Sequence, residues 1–275
     1  MNTALKSLQL KAKQQVYTLL SGQNFSKLHG EGYDFSELRE YEVGDDIRKI
    51  NWMITAKLGK PYIKELHANR ELSVVVTSII DGSLYFAKGN DKQKKLTEVA
   101  TILGYATKQN MDVFTGILYT QKSRHITPPT KQLYAIEQFS KILFEAPLLN
   151  TSLDVKAAIK DLFQRIAKPS LLFVLSDFLT EIDLTLLAQK HEIIAIIIRD
   201  KEEESLSKLG EITLINPQTN TSIDTYISKK SIKKYQMKLQ ENDSKLLAHF
   251  ASINIRYVKI NTAEEVLGKL IQLFR

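Results

Sequence analysis

A chain of 275 residues, 43% of them hydrophobic, is long enough to bury a core without staples, and the absence of Cys excludes disulfides, thiolate catalysis and Cys-based zinc sites. A net charge of +7 permits attraction to nucleic acid or anionic lipid, but the charges are spread along the chain. No arginine-rich block or nucleic-acid motif gathers them, so a solvated surface is the expectation and no specific nucleic acid is expected.

Residues 1–20 carry an amphipathic stripe, Leu5, Leu8, Ala12, Val16 and Leu19, interrupted by Lys6, Lys11 and Lys13. A signal peptide needs an unbroken apolar region, which is absent here. No run in the chain approaches the ~18–20 apolar residues of a membrane span. The stripe has the width of an ordinary core-facing helix. The expected location is therefore the cytoplasm, at most peripheral to a membrane through this first helix.

Residues 30–71 mix charges of both signs with Tyr33, Phe35, Leu38, Tyr41, Ile47, Ile50, Trp52, Ile54 and Tyr62. That density of aromatic and branched residues argues against a disordered linker. Gly44-Asp45-Asp46 reads as a turn with an N-cap candidate. Ile47, Ile50, Ile54 and Leu58 then recur at helical spacing, and Gly59 supplies a stop. Tyr62–Leu66 alternates as a strand. Trp52, the only Trp, reads as an anchor for this element, or as an interface hot spot if exposed. The expected division is 1–71 for the first helix and this segment, packed on an α/β domain over 72–275.

From Leu72 on, apolar runs alternate with helical patterns. Strands are expected at 72–80, 112–119, 170–175, 192–198 and 256–260, with an edge strand at 123–127 ended by Pro128-Pro129. Helices are expected at 92–108, 131–144, 153–166, 183–189, 229–250 and 263–274. Two short alternating runs around 218–221 read as a β-hairpin. Glu202–Glu204 reads as the clearest solvent-exposed spot. Near-continuous apolar strands separated by helices predict a doubly wound, mostly parallel sheet covered on both faces.

The segment 30–71 closely resembles the signature of the bacterial family known as domain of unknown function 58. The signature runs G-x-G-x-[DE]-F-x-x-L-R-x-Y-x-x-G-D-D-x-R-x-I-[DN]-W, then A-[RK]-x-G and an aromatic. The matching residues are Gly30, Gly32, Asp34, Phe35, Leu38, Arg39, Tyr41, Gly44, Asp45, Asp46, Arg48, Ile50, Asn51, Trp52, Ala56, Lys57, Gly59 and Tyr62. Asn51 stands where Asp is usual. The resemblance implies a von Willebrand factor A-like domain after the signature. It also implies partnership with MoxR-type AAA+ ATPases and with other proteins that carry such domains, and no known reaction.

Ligands of doubly wound sheets sit beyond the carboxyl ends of the strands, where strand order reverses. Two predicted strands end in Asp, at Asp81-Gly82-Ser83 and at Ser176-Asp177-Phe178. In the von Willebrand A topology these are the central neighbours, and the loop at Asn150-Thr151-Ser152 approaches the same spot. The trio resembles a metal-ion-dependent adhesion site, D-x-S-x-S with a distant Thr and Asp. The resemblance assigns Asp81, Ser83, Thr151 and Asp177 to a Mg²⁺ ion, an ion that prefers hard oxygen ligands. Tyr85 replaces the second Ser. The plainer readings are turn-capping Asp residues and an N-cap at Thr151 or Ser152.

For Asp45, Asp46 and Arg48 the plainer reading is a network in which Arg39 or Arg48 forks onto a carboxylate to lock the segment, compatible with a partner-docking surface. The five His residues (29, 67, 125, 191, 249) show no metal-ligand spacing. Two functions stay open. One is a non-enzymatic adaptor of a MoxR-type ATPase in assembly or remodelling of client complexes. The other is a metal-dependent hydrolase or phosphotransferase using Asp81 and Asp177, with or without Asp45 and Asp46. A weaker third is nucleic-acid or anionic-membrane binding through the basic helix Lys229–Lys245.

Overall fold

The computed structural model describes residues 3–21, 35–42, 44–66, 71–86, 89–206 and 210–274. The signature positions Gly30, Gly32 and Asp34, with Tyr33, Val43, His29 and His67, lie outside the described residues. The chain divides into two compact units, residues 1–21 with 72–275, and residues 22–71. Helix α1 (Thr3–Ser21) thus groups with the sheet and not with the signature segment, a different grouping from a boundary at 71/72. Its Leu5, Ala12 and Val16 are buried, and Lys11 reaches Glu98 of helix α3 (Asp91–Gln109) at 2.8 Å.

In the larger unit the strands are β3 (Ser73–Ile79), β4 (Val113–Tyr119), β5 (Arg124–Thr130), β6 (Leu171–Ser176), β7 (Glu192–Arg199) and β10 (Arg256–Asn261). The preceding two, β1 (Phe35–Glu40) and β2 (Tyr62–Leu66), belong to the signature segment, and β8 (Gly210–Ile215) and β9 (Ser222–Ile227) form a hairpin. The sheet order is β10-β7-β6-β3-β4-β5, parallel except for β5 against β4. Numbered by appearance this is 3-2-1-4-5-6 read from the β5 edge, the doubly wound order. The chain moves outward from β3 to β5 and then crosses back to β6. The reversal point therefore lies between β3 and β6, which pair as Val74↔Leu171 through Ser78↔Leu175.

The strands read as unbroken apolar runs because both faces are covered. Val74, Val76, Ile194, Ile196 and Ile198 pack with α3, α4 (Leu133–Glu145) and α9 (Val266–Phe274) on one side. Val75, Ile193, Ala195 and Ile197 pack with α5 (Val155–Arg165), α6 (Thr185–Ala188) and α8 (Lys229–Ser252) on the other. Helix α5 is capped by Asp154, whose side chain accepts from Ala157 N–H at 3.0 Å, and not by Thr151 or Ser152. Strand β5 runs through Pro128 and Pro129 where a stop was expected. An edge strand tolerates Pro, because its outward N–H positions need no ladder partner.

Asp161 of α5 ties that edge down. It accepts from Tyr119 Oη at 2.8 Å, from Arg124 at 2.7 Å and from Arg165 Nε at 2.9 Å. Burial alone would raise this carboxyl. Hydrogen bonds from Arg165 and Tyr119, with the charges of Arg124 and Arg165, outweigh it and hold the group below its ordinary 3.8. A depressed folded value stabilises the protein above the unfolded value, and this contribution is lost as pH falls through the folded one. Urea midpoints at pH 6 and at pH 3 should therefore drop less in Asp161→Asn than in the wild type. An equal drop in both would remove Asp161 from the acid response.

Candidate functional site

The signature segment is an antiparallel ribbon of β1 (Phe35–Glu40) and β2 (Tyr62–Leu66), with helix α2 (Trp52–Leu58) between them. The apolar stripe 47–58 was expected to be one helix, and it is two. Asp46 caps a 3-10 turn over Ile47–Lys49 by accepting from Arg48 N–H at 3.0 Å. Ile50 is then extended and bridges Ile63. Asn51 restarts the chain as N-cap of α2, accepting from Ile54 N–H at 3.3 Å. This role uses an amide oxygen and needs no carboxylate at position 51. Gly59 ends α2 at φ 72°, a conformation an L side chain resists.

The carboxylate fork in this segment is made by Arg39, which holds Asp45 through two N–H···O bonds of 2.7 Å. Glu42 N–H adds a third bond to Asp45 at 2.9 Å. Gly44, at φ 117°, makes the preceding turn, and Tyr41 N–H donates to Pro61 O at 2.8 Å. Arg48 contributes its backbone amide and is exposed. Trp52, read as an anchor, is 69% exposed, and α2 contains no buried residue.

In the larger unit the strand ends meet as the topology requires. Asp81 follows β3 and Asp177 follows β6, at adjacent carboxyl ends of the sheet. The Thr151 loop joins them, since Gly82 N–H donates to Thr151 O at 2.9 Å. A fourth contributor was not foreseen. The hairpin of β8 (Gly210–Ile215) and β9 (Ser222–Ile227) brings its tip to the same place. Asn150 N–H donates to Pro217 O at 2.8 Å, and Gln218 Nε2 donates to Asp81 Oδ2 at 2.9 Å.

Inside the site the side chains of Asp81, Thr151 and Asp177 are already partnered. Asp81 Oδ1 accepts from Ser83 N–H at 2.8 Å, and Thr151 Oγ1 donates to Leu148 O at 2.5 Å. Asp177 Oδ1 accepts from Leu179 N–H at 3.3 Å, and its Oδ2 lies 3.0 Å from Lys92 Nζ. The same ammonium lies 2.5 Å from Glu203 Oε1, and Lys92 and Glu203 are each 1% exposed. The acidic run expected at the surface is therefore divided. Glu202 is exposed, whereas Glu203 turns inward. It completes the N-terminal cap of the short helix α7 (Lys201–Glu204) by accepting from Asp200 N–H at 3.1 Å, and it pairs with Lys92. Burial pushes the Glu203 carboxyl above its usual range, against the pull of Lys92.

This donor set does not fit Mg²⁺. The ion needs near-octahedral oxygens at about 2.0–2.1 Å. Here hydrogen-bond donors converge on the carboxylates, and Tyr85 stands at the second Ser position, 36% exposed. An ion held by Asp177 would also face the Lys92 ammonium, which lies 3.0 Å from the same carboxylate, and like charges repel. Among the described residues, no group of three or more His, Asp or Glu is arranged to hold a metal. His191 is buried, and burial holds its imidazole below the usual range. His249 accepts from Leu184 N–H at 3.2 Å. Among the described residues no helix is long and apolar enough to cross a membrane.

Comparison with known proteins adds a family and distant relatives. Two mycobacterial proteins, "Uncharacterized protein Rv1480" of Mycobacterium tuberculosis (strain ATCC 25618 / H37Rv) and "Uncharacterized protein Mb1516" of Mycobacterium bovis, are each 25% identical over 219 residues. Each match covers 77% of this chain and 69% of the relative. Among solved structures, the conserved hypothetical protein BatB from Bacteroides thetaiotaomicron aligns with TM-score 0.39 and 11% identity, over 74% of this chain and 96% of that one. An aerotolerance-related membrane protein from Bacteroides fragilis NCTC 9343 aligns with TM-score 0.34 and 11% identity, over 66% and 98%. Likenesses this slight carry no argument, and the fold rests on its own sheet order and register. The model described as "Protein of unknown function DUF58" matches residues 37–245, most of the chain and both compact units, so the chain belongs to the DUF58 family.

Proposed function

We propose that this chain is a non-enzymatic interaction protein, working with a MoxR-type AAA+ ATPase in the assembly or remodelling of client complexes. The partner class comes from the resemblance of the signature segment. The observation that carries the non-enzymatic part is the state of the carboxylates at the sheet's carboxyl end. Asp81, Asp177 and Glu203 are each engaged by donors from the chain itself. A general base needs a free oxygen within reach of a substrate proton, and two-metal chemistry needs carboxylates that bridge ions. Neither is supplied by oxygens committed in this way, which disfavours a hydrolase or phosphotransferase using Asp81 and Asp177. In this reading the protein acts in the cytoplasm or at a membrane surface, a setting compatible with the absence of Cys.

The test is a pull-down of the tagged chain from its native lysate with Mg²⁺-ATP, read by mass spectrometry. Recovery of an AAA+ ATPase, reduced at least about tenfold by Asp81→Ala (a loss of about 1.4 kcal/mol in binding), is the expected result. Absence of any such ATPase counts against the partner class. Equal recovery with Asp81→Ala and Asp177→Ala removes the sheet edge from the interface.

A further inference from the structure

We propose that Lys92 is the resident cation of this site. Its ammonium pairs with Asp177, one of the carboxylates the resemblance assigns to a divalent ion, and the tip of the β8–β9 hairpin engages Asp81, the other, so that recognition at the sheet's carboxyl end is independent of metal.

The position of Lys92 is unusual on local grounds. It lies in the first turn of α3, where the helix dipole disfavours a cation. It is also 1% exposed, and Lys is almost never buried unless it is paired. Both costs are offset by what the ammonium joins. Asp177 comes from the end of β6, and Glu203 from the helix after β7. One point charge thus ties together three segments that are far apart in sequence, as a bound ion does. An ammonium has three donors. Two are used by these carboxylates, and the Nζ also lies 5.8 Å from the centroid of the Phe86 ring, within cation–π range.

Gln218 completes the substitution on the other side. Its amide supplies a donor to Asp81 Oδ2, the oxygen that Ser83 N–H leaves open. The two strand-end Asp residues are thus satisfied by an ammonium and by an amide. The functional consequence concerns recognition. A metal in such a site keeps a coordination position for a partner's carboxylate, and an ammonium enclosed by two carboxylates and a ring offers none. A partner meeting this edge must read the surrounding shape and polar groups, the hairpin tip included.

The consequence for recognition rests on the interaction-protein reading, whereas the substitution itself is tested on the purified full chain alone. The chain is stripped with chelator, and thermal unfolding is followed in chelator and in millimolar Mg²⁺. Free Mn²⁺ is followed in parallel by electron paramagnetic resonance. An ion present at about 100 times its Kd would raise the midpoint by roughly 5 °C. The wild type is expected to show no such rise and to leave Mn²⁺ free. In Lys92→Met the ammonium is gone and both carboxylates stay, so Mg²⁺ should raise the midpoint and Mn²⁺ should bind. A wild-type rise of that size overturns the proposal whether or not Lys92→Met folds. A folded Lys92→Met that stays indifferent to both ions shows that Lys92 does not hold an ion's place. Gln218→Ala keeps the lysine and its carboxylates, and should remain indifferent to metal. These outcomes are read without any partner, so they are separable from a failed pull-down.

Discussion

Lys92→Met is expected to lower the unfolding free energy by about 3–5 kcal/mol, the range for removing one partner of a buried ion pair. In a chain of this size the midpoint should fall by roughly 5–10 °C. Met keeps much of the volume of the Lys stem, so a packing defect accounts for little of the change. What remains is two buried carboxylates, Asp177 and Glu203, with the shared cation removed. The sign of the pH response follows. Burial already raises Glu203, and removal of Lys92 takes away the opposing pull. A carboxyl whose folded value is raised gives most stability below its unfolded value and loses it as pH rises through the folded one. The deficit of Lys92→Met should therefore be largest at neutral pH and shrink toward pH 5. Adding Glu203→Gln should recover part of it, with a coupling of about 0.5–3 kcal/mol in the double-mutant cycle. Urea unfolding of the four proteins at both pH values provides the measurement. A cycle that is additive at neutral pH would mean that the two residues do not act as a pair.

The sheet was legible in the sequence because burial on both faces leaves a local mark. Val74-Val75-Val76 and Ile193–Ile198 carry no polar alternation, since odd and even positions both meet helices. The adjacency of the strands that lead to Asp81 and Asp177 was implied by the resemblance to the von Willebrand A topology, and β3 and β6 do pair. What periodicity could not resolve was competition between side chain and backbone. The stripe Ile47, Ile50, Ile54, Leu58 suits one helix, but Asn51 accepts from Ile54 N–H and divides it. Likewise Asp154, and not the Thr151-Ser152 pair, caps α5.

Lys92, Glu203 and Gln218 were missed for another reason. Their partners lie 85, 111 and 137 residues away, and composition carries no trace of such pairings. Two faint signals existed. A Lys in the first turn of a helix opposes the dipole, and Asp200-x-x-Glu203 is a capping-box pattern, which turns one Glu of an acidic run back toward the chain. Neither signal says what the residue meets.

Gly82→Ala is expected to lift the hairpin tip from the sheet edge. Gly82 has an ordinary backbone conformation, so its requirement is for space. A Cβ there would lie 2.7 Å from Pro217 O, 2.8 Å from Pro217 C and 2.9 Å from Gln218 Cα. All three are backbone atoms, and they cannot yield by a change of rotamer. Either the tip moves or the 3-10 turn Gly82–Leu84 moves, and overpacking of this kind costs about 1–3 kcal/mol. The tip is the more weakly held. Its hydrogen bonds to this edge run from Asn150 N–H to Pro217 O and from Gln218 to Asp81, whereas Gly82 itself is fastened by N–H to Thr151 O and by the turn bond from Tyr85 N–H. Amide exchange at Asn150 should then accelerate by at least about tenfold, the equivalent of losing about 1.4 kcal/mol of local protection. Exchange in the core of β3 should change little. If the tip is part of the recognition surface, ATPase recovery should fall with Gly82→Ala while the Lys92 ion pairs and the lack of response to Mg²⁺ persist. Unchanged exchange at Asn150 would mean that the hairpin does not rest on Gly82 in solution, and the closed form of the site would then have to be abandoned even with Lys92 in place.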